Sequence, residues 1–271
     1  MSGRFYKMTG SGNDFVVLDG REHRLADWPA DRMRAVCDRR GGVGADGVVH
    51  FCRLDDGAIR MVYFNADGSH AEMCGNAALC TTRLAVFLGL AMPEAVRLAT
   101  DAGPLESRCT GPGWAAELKF PVASIPTPID LALDPGERRA FFGTVGVPHA
   151  VIAVEDVETV DVHRRGRQLR FAPEFAPAGS NINFIGPIDD SEVKWALRTY
   201  ERGVEGETLA CGTGTIAAAL ALASAGLDAL PTRIRTGSGC LYSVSGDLAG
   251  SVARDVWLCG EGRLVFRGEL C

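Results

Sequence analysis

Two cysteines of this chain stand in a context that occurs twice. Residues 72–90 read EMCGNAALCTTRLAVFLGL, and residues 209–227 read LACGTGTIAAALALASAGL. A cysteine at the start of a helix meets unpaired N–H groups and a partial positive charge, which stabilise a thiolate and also bind carboxylates. The repeat therefore predicts two reactive thiols, Cys74 and Cys211, each beside an anion-binding helix N-terminus.

Two thiols beside carboxylate-binding groups favour one kind of reaction. One thiolate removes a proton from a carbon next to a carboxylate, and the other thiol returns a proton to the opposite face. Without a cofactor, such a site lowers the barrier through hydrogen-bond donors aimed at the developing enolate and through exclusion of water. We therefore expect both cysteines to face one shared cleft.

The helices that follow the two cysteines are apolar on all sides. Residues 77–88 carry one charge, Arg83, and residues 215–225 carry none. A helix of this kind is buried, and runs this short do not span a bilayer. We expect two central helices, each surrounded by a β-sheet, with Asn76 and Thr213 as their capping residues.

Polar residues stand at the ends of predicted strands in both halves of the chain. Strands are predicted at 14–19, 59–64 and 193–200, and Gly-rich turns precede two further candidate strands. The polar residues at these ends are Asn13, Asn65, His149, Asn181, Glu201 and Arg202. Between these strands, residues 31–40 are predicted as an amphipathic helix and residues 163–170 as a basic, polar loop.

The composition excludes several classes of protein. The chain has 271 residues and a net charge of -6, with nothing that favours a nucleic-acid or membrane partner. Nine cysteines without a CxxC pair indicate neither a disulfide framework nor a zinc site, and they suit a reducing compartment. Only three lysines are present, so few candidates exist for a pyridoxal Schiff base. We predict a cytoplasmic protein that needs no cofactor.

The length allows two domains of ordinary size. Four prolines within residues 121–135 mark the predicted crossing between them. The first predicted domain is 1–121, completed by a C-terminal strand at 260–271. The second predicted domain is 122–259.

The sequence closely resembles the diaminopimelate epimerase family. The matching motifs, in chain order, are KMTGSGNDFVVLDG, FNADGSHAEMCGN, GVPHAV, GSNINF and RTYERGVEGETLACGTG. The resemblance implies an α/β fold of two pseudo-symmetric domains, each a mixed β-sheet wrapped around a central α-helix. It also implies epimerisation of LL-diaminopimelate to meso-diaminopimelate, a step of lysine and cell-wall precursor synthesis.

The resemblance assigns roles to particular residues. It implies that Cys74 and Cys211 are the base and acid pair, and that His149 and Glu201 handle protons beside them. The residues implied to contact the substrate are Asn13, Asn65, Gly75, Asn76, Asn181, Arg202, Gly212 and Thr213. Of these, Arg202 is the natural partner of the distal carboxylate through bidentate pairing.

The chain departs from the family pattern at a few positions. Val147 stands where many members carry Asn in a GNPH motif, and that Asn contacts the distal end of the substrate. Gly47 stands where some members carry Gln, and Ala77 and Leu79 replace the second Gly and the Arg of CGNGARC. The Val147 departure leaves open a racemase of another amino acid on the same fold.

Two further alternatives have discriminating features. Proline racemases pair an MCGH motif with a different second cysteine context, and Asn76 together with LACGTG argues against them. A non-catalytic amino-acid-binding relative would be expected to have lost one of the two cysteines. The expected partner is a small-molecule amino-acid substrate, and the oligomeric state is open, a homodimer included.

Overall fold

The computed structural model describes residues 3–111 and 113–270. Cys271, the last residue of the predicted C-terminal strand, lies outside these residues. The chain divides into two compact units: unit 1 is Met1–Lys119 with Cys259–Cys271, and unit 2 is Phe120–Leu258.

The helices and strands are numbered in chain order. The α-helices are α1 (Ala30–Cys37), α2 (Gly75–Phe87), α3 (Val162–Arg170) and α4 (Gly212–Ser224). The first eight strands are β1 (Gly3–Gly10), β2 (Asn13–Asp19), β3 (Gly47–Arg53), β4 (Ile59–Asn65), β5 (His70–Ala71), β6 (Val96–Thr100), β7 (Gly103–Arg108) and β8 (Ala115–Phe120). The later strands are β9 (Ala123–Ser124), β10 (Thr127–Pro128), β11 (Glu137–Val145), β12 (Val147–Val154), β13 (Asn181–Pro187), β14 (Trp195–Glu201), β15 (Gly206–Thr208), β16 (Thr232–Thr236), β17 (Leu241–Ala249), β18 (Val252–Glu261) and β19 (Arg263–Leu270). Short 3-10 helices lie at Leu25–Asp27, Val157–Thr159 and Pro173–Phe175.

Unit 1 is a mixed sheet around α2. Strand β1 pairs antiparallel with both β19 and β2, β2 is parallel to β3, and β3 is antiparallel to β4. Strand β4 is parallel to β6 and antiparallel to the short β5, and β6 and β7 form a hairpin. Helix α2 packs against β1 to β4, β6, β7 and β19, so it is enclosed by the sheet.

Unit 2 repeats this order of pairings around α4. Strands β11 and β12 are antiparallel, β12 is parallel to β13, β13 is antiparallel to β14, and β14 is parallel to β16. Helix α4 packs against β11, β12, β13, β16 and β17. The two units thus confirm the predicted α/β class, in which each pseudo-symmetric half wraps a mixed sheet around a central helix.

The central helices begin earlier than their apolar runs. Cys74 and Cys211 are themselves the N-cap residues, with extended backbone angles, and α2 and α4 begin at the following glycines. The prediction that Asn76 and Thr213 cap these helices is wrong, because both residues lie inside the first turn. The cysteines therefore lie two residues closer to the helix starts than the capping pattern indicated.

The segment 163–170, predicted as a polar loop, lies within helix α3, so that prediction is also wrong. The Asp161 side chain caps α3 by accepting a hydrogen bond from the third residue of the helix. The Arg165 guanidinium is buried against the Glu137 carboxylate, with N to O distances of 2.8 and 2.7 Å. The buried face of α3 consists of Val162, Arg165, Gly166, Leu169 and Arg170. The sequence alone could not show that Arg165 faces the core, because its partner Glu137 lies in a distant strand, β11.

No helix within the described parts of the chain is long and apolar enough to cross a bilayer.

Candidate active site

Cys74 ends the polar turn after β5 and begins α2. Its carbonyl accepts the first helical hydrogen bond from the Ala78 N–H at 2.9 Å, while its side chain makes no capping hydrogen bond. The N–H groups of a helix's first turn have no carbonyl partner within the helix, so Gly75 and Asn76 present theirs at the helix end. A Cβ at Gly75 would have no atom within 4 Å, which leaves room for a ligand there.

Asn13 lies beside Cys74. It follows a tight turn in which Ser11 and Gly12 both have positive φ. Its amide nitrogen donates to Asp46 Oδ2 at 2.7 Å, and its amide oxygen lies 3.9 Å from the Cys74 sulfur. Because Asp46 holds the nitrogen, the oxygen of Asn13 is the atom presented to the thiol.

Asp46 belongs to a charged cluster beneath Asn13. Its carboxylate also accepts the Asp14 N–H at 3.1 Å and an Arg39 N–H at 2.6 Å. Burial favours the neutral form of Asp14, but hydrogen bonds from Arg39 and Lys7 outweigh it and hold the pKa of Asp14 well below its ordinary value. Asp14 is therefore ionised at neutral pH, and the hydrogen bonds of the cluster give Asn13 a rigid support.

The sheet of unit 1 brings Asn65 to the same edge. Strands β2 and β3 both begin at this edge, and the antiparallel β4 ends there with Asn65 opposite Gly47. The Asn65 amide donates to the Ser69 hydroxyl at 3.0 Å. Asn13, Asn65 and Cys74 are thus gathered at one end of the unit 1 sheet.

The structure explains the glycine at position 47. A Cβ on Gly47 would lie 2.6 Å from Cε2 and 2.9 Å from the hydroxyl oxygen of Tyr63. It would also lie 2.5 Å from the Phe64 carbonyl oxygen. A side chain at position 47 would therefore collide with the backbone of β4 as well as with the Tyr63 ring.

Cys211 begins α4 in the same way. Its carbonyl accepts hydrogen bonds from both the N–H and the hydroxyl of Thr215, each at 2.9 Å. Its sulfur lies 3.6 Å from the Thr213 hydroxyl, and only 8% of the residue is exposed. Gly212 and Thr213 occupy the first turn, as Gly75 and Asn76 do in unit 1.

His149 is fully buried at the start of β12. The parallel register with β13 sets it opposite Asn181. Burial, assisted by the positive charge of Arg202, lowers the pKa of His149 to about 3. Its Nδ1 lies 3.1 Å from the amide nitrogen of Asn183, and its Nε2 has no hydrogen-bond partner among the described residues. His149 is therefore neutral at physiological pH.

Asn181 braces the loop that carries Arg202. Its amide oxygen accepts the Arg202 N–H at 2.8 Å, and its amide nitrogen donates to the Pro148 carbonyl at 3.2 Å. Within the described residues, no carboxylate forms an ion pair with the Arg202 guanidinium. That guanidinium is thus able to take an anionic ligand.

Glu201 ends β14 immediately before Arg202. Burial raises the pKa of Glu201, and the neighbouring Thr208 hydroxyl offsets part of this effect. A carboxyl group with a raised pKa holds its proton more strongly than an exposed one.

Two residues of these clusters were not predicted from the sequence. Asn183 could have been found, because strand alternation places it on the same side of β13 as Asn181, in an otherwise apolar run. Asp46 had no comparable signal, because its contact with Asn13 joins two distant parts of the chain. Where the structure describes the chain, no group of three or more His, Cys, Asp or Glu residues is placed to hold a metal ion.

Solved structures of low sequence identity share this fold. A phenazine biosynthesis protein of the PhzF family from Bacillus anthracis matches with a TM-score of 0.74 at 16% identity, covering 100% of this chain and 99% of that chain. A hydroxyproline epimerase from Agrobacterium vitis matches with a TM-score of 0.66 at 18% identity, covering 99% and 92%. At these identities the likeness concerns the fold alone.

Sequence relatives are much closer. A diaminopimelate epimerase from Gemmatimonas aurantiaca is 44% identical, over 98% of both chains. One from Aquifex aeolicus is 40% identical, over 98% of this chain and 97% of the relative. The family model described as diaminopimelate epimerase matches residues 5–119 and 141–247. This chain belongs to the diaminopimelate epimerase family.

Proposed function

We propose that this protein converts LL-diaminopimelate to meso-diaminopimelate without a cofactor, with Cys74 and Cys211 as the base and acid pair. The observation that carries the proposal is the repeated arrangement of a cysteine at the N-cap of an enclosed helix, once in each unit. Nearly full-length relatives at 44% and 40% identity that are named diaminopimelate epimerase support the substrate.

In the proposed reaction one cysteine thiolate removes the α-proton and becomes a thiol. The other cysteine, a thiol at the outset, donates its proton to the opposite face of the same carbon and becomes a thiolate. The substrate gains and loses one proton, and the enzyme ends with its two sulfur protonation states exchanged. In the reverse direction the two cysteines exchange roles.

The first turns of α2 and α4 are proposed to bind the carboxylate next to the reacting carbon. Its negative charge increases as the proton leaves, and aligned N–H groups at helix N-termini stabilise that increase. The glycines after both cysteines, Gly75 and Gly212, allow the ligand to approach the backbone.

The amide side chains are proposed to orient the rest of the substrate. The oxygen of Asn13, held toward Cys74 by Asp46, is an acceptor suited to the substrate ammonium group. Asn65 lies at the same edge and is proposed as a second contact. Arg202 is proposed to bind the distal carboxylate, while Asn181 fixes the backbone beneath it.

Val147 supports one alternative, a racemase of another amino acid. It begins β12 directly after Gly146, next to the first turn of α4, since a Cβ on Gly146 would lie 3.9 Å from Thr213 Cγ2. An apolar residue where family members carry Asn removes one polar contact, worth about 1 to 3 kcal/mol unless water replaces it. This residue therefore bears on substrate choice.

Exchange of the α-proton in heavy water distinguishes a diaminopimelate epimerase from a racemase of another amino acid. The purified protein is incubated with a panel of amino acids that includes LL- and meso-diaminopimelate, and deuterium at the α-carbon is measured by mass spectrometry. The proposal expects deuterium in both diaminopimelate stereoisomers and interconversion between them. Exchange in another amino acid, with none in diaminopimelate, would establish the alternative.

We further propose that the protein acts in the cytoplasm on a small-molecule amino-acid substrate, with neither nucleic acid nor membrane as a partner. The net charge of -6 supports the absence of a nucleic-acid partner. Thiol-dependent chemistry supports a reducing compartment. Fractionation of cells should recover the protein and its activity together in the cytoplasmic fraction.

A further inference from the structure

Asn183 connects His149 to two other groups inside unit 2. It is fully buried on β13. Its amide nitrogen lies 2.9 Å from the Ala150 carbonyl oxygen and 3.1 Å from His149 Nδ1. Its amide oxygen accepts a hydrogen bond from the Thr199 hydroxyl at 3.0 Å.

These contacts determine which way the Asn183 amide points. A backbone carbonyl only accepts hydrogen bonds, so the atom that faces Ala150 must be the amide nitrogen. The same nitrogen, with its second hydrogen, faces His149 Nδ1. That ring nitrogen must then be the unprotonated acceptor. A neutral imidazole with an unprotonated Nδ1 carries its hydrogen on Nε2.

We infer that Asn183 is a positioning residue that holds His149 as the neutral tautomer with hydrogen on Nε2. His149 then serves the reaction as a hydrogen-bond donor to a negatively charged sulfur or oxygen atom, and it is not a proton acceptor. Its buried Nε2 has no partner among the described residues, as expected of a donor whose acceptor is the ligand or a thiolate.

The alternative role, a base at His149, meets two obstacles in this structure. Nε2 already carries the hydrogen, so the only lone pair is on Nδ1, where the Asn183 N–H points. A second proton would also create a buried cation near the positive charge of Arg202, the charged group that acts on this ring. Two other titratable groups lie at this end of unit 2: Cys211, which is buried, and Glu201, which is half-buried.

The tautomer is measurable without reference to activity. Protein labelled with ¹⁵N at the histidine rings is studied by long-range proton–nitrogen correlation NMR between about pH 5 and 8, where an ordinary histidine titrates. We expect His149 to show a protonated Nε2 and an unprotonated Nδ1 throughout. A hydrogen on Nδ1, or a doubly protonated ring in this range, would overturn the inference.

The Asn183→Asp variant tests the cause. A carboxylate accepts hydrogen bonds, so Nδ1 should become protonated and the His149 resonances should begin to titrate in this range. An unchanged tautomer would show that Asn183 does not set it. Thr232→Val is the control, since it also changes a buried polar side chain of unit 2 that bonds to a backbone carbonyl, and it should leave the His149 resonances unchanged. If Asn183→Asp does not fold, the spectra of the unsubstituted protein still decide the tautomer.

The donor role rests on the proposed epimerase reaction and is tested by two substitutions of His149. Glutamine supplies an N–H donor near the position of Nε2 but has no basic group, and leucine supplies neither. We expect His149→Gln to keep kcat within about tenfold of the original, and His149→Leu to lose about a hundredfold. Equal losses in both variants would overturn the donor role. If the unsubstituted protein exchanges no diaminopimelate proton while the NMR result holds, only the proposed function fails.

Discussion

The two thiols proposed to react are distinguished from the other cysteines by their place at a helix end. Cys74 and Cys211 are the N-cap residues of α2 and α4, whereas Cys80 lies inside α2 and is fully buried. Burial raises the pKa of Cys80 far above its ordinary value, so it remains a thiol. Within α2, a cysteine at the N-cap thus lies beside unpaired N–H groups, whereas a cysteine about one and a half turns later is enclosed in the core.

Replacing either N-cap cysteine should abolish turnover in both directions. Each direction needs one thiolate and one thiol, so Cys74→Ala and Cys211→Ala should each lower kcat by about a thousandfold or more. The measurement is interconversion of the two diaminopimelate stereoisomers, started from each. Cys109→Ala and Cys240→Ala, which remove one partly buried cysteine from each unit, are the controls. Near-normal turnover in either N-cap variant would contradict a two-base reaction.

Glu201→Gln should make the protein more stable at neutral pH while lowering its activity. Burial raises the pKa of Glu201 above the ordinary 4.5, so the folded state holds this proton more tightly than the unfolded state. The free energy of unfolding therefore falls as pH rises from 4.5 through the folded-state pKa. Urea unfolding across this range should show a stability gap between variant and parent that is absent in acid and present at neutral pH. A gap that grows toward acid would refute the assignment.

The two central helices differ at their third residue, where different side chains pack against them. The third residue of α2 is Ala77, and the third residue of α4 is Gly214. A Cβ on Gly214 would collide with the Asn183 amide oxygen and lie 3.2 Å from the Cys211 sulfur. The glycine of α4 is thus required by Asn183, and the side chain at the matching position of α2 is accommodated.

Gly214→Ala should therefore destabilise the protein, although alanine favours helices. Displacing Asn183 should destabilise the protein by about 1 to 3 kcal/mol, as overpacking of a core does. It should also lower kcat, because His149 loses its support. Ala77→Gly is the matched exchange, and it should cost only about 1 kcal/mol from helix propensity. Urea unfolding and kcat check both variants, and a stabilised, fully active Gly214→Ala would contradict this reading of Asn183.

At the scale of the whole molecule, the end of the chain completes the unit in which the chain begins. Strand β19 pairs with β1 from Gly3 opposite Leu270 to Thr9 opposite Arg263, and the Phe5 and Phe266 rings meet edge to face. Just before β19, a Cβ on Gly262 would lie 2.5 Å from the Leu79 carbonyl, so the chain passes close to α2.

Truncation after Gly262 should therefore loosen unit 1 selectively. Without β19, strand β1 becomes an edge strand whose outward N–H groups lose their partners. Hydrogen exchange should show amides of β1 losing protection, while amides of β12 and β13 in unit 2 keep theirs. Equal loss in both units would show that β19 supports the molecule as a whole.

The two N-cap thiols, the central helices and the repeated order of elements could all be predicted from the sequence. These features depend on local information: a Cys-Gly pair before an apolar run marks a helix start, and such a run must be buried wherever it lies. The pairing of the buried polar groups could not be predicted in this way, because it depends on contacts that form in the folded protein. Asp46 supports Asn13, Asn183 contacts His149, and Glu137 pairs with the buried Arg165 of α3. Each pairing joins residues that are distant in the chain, and a buried polar group is stable only beside a partner that the fold supplies.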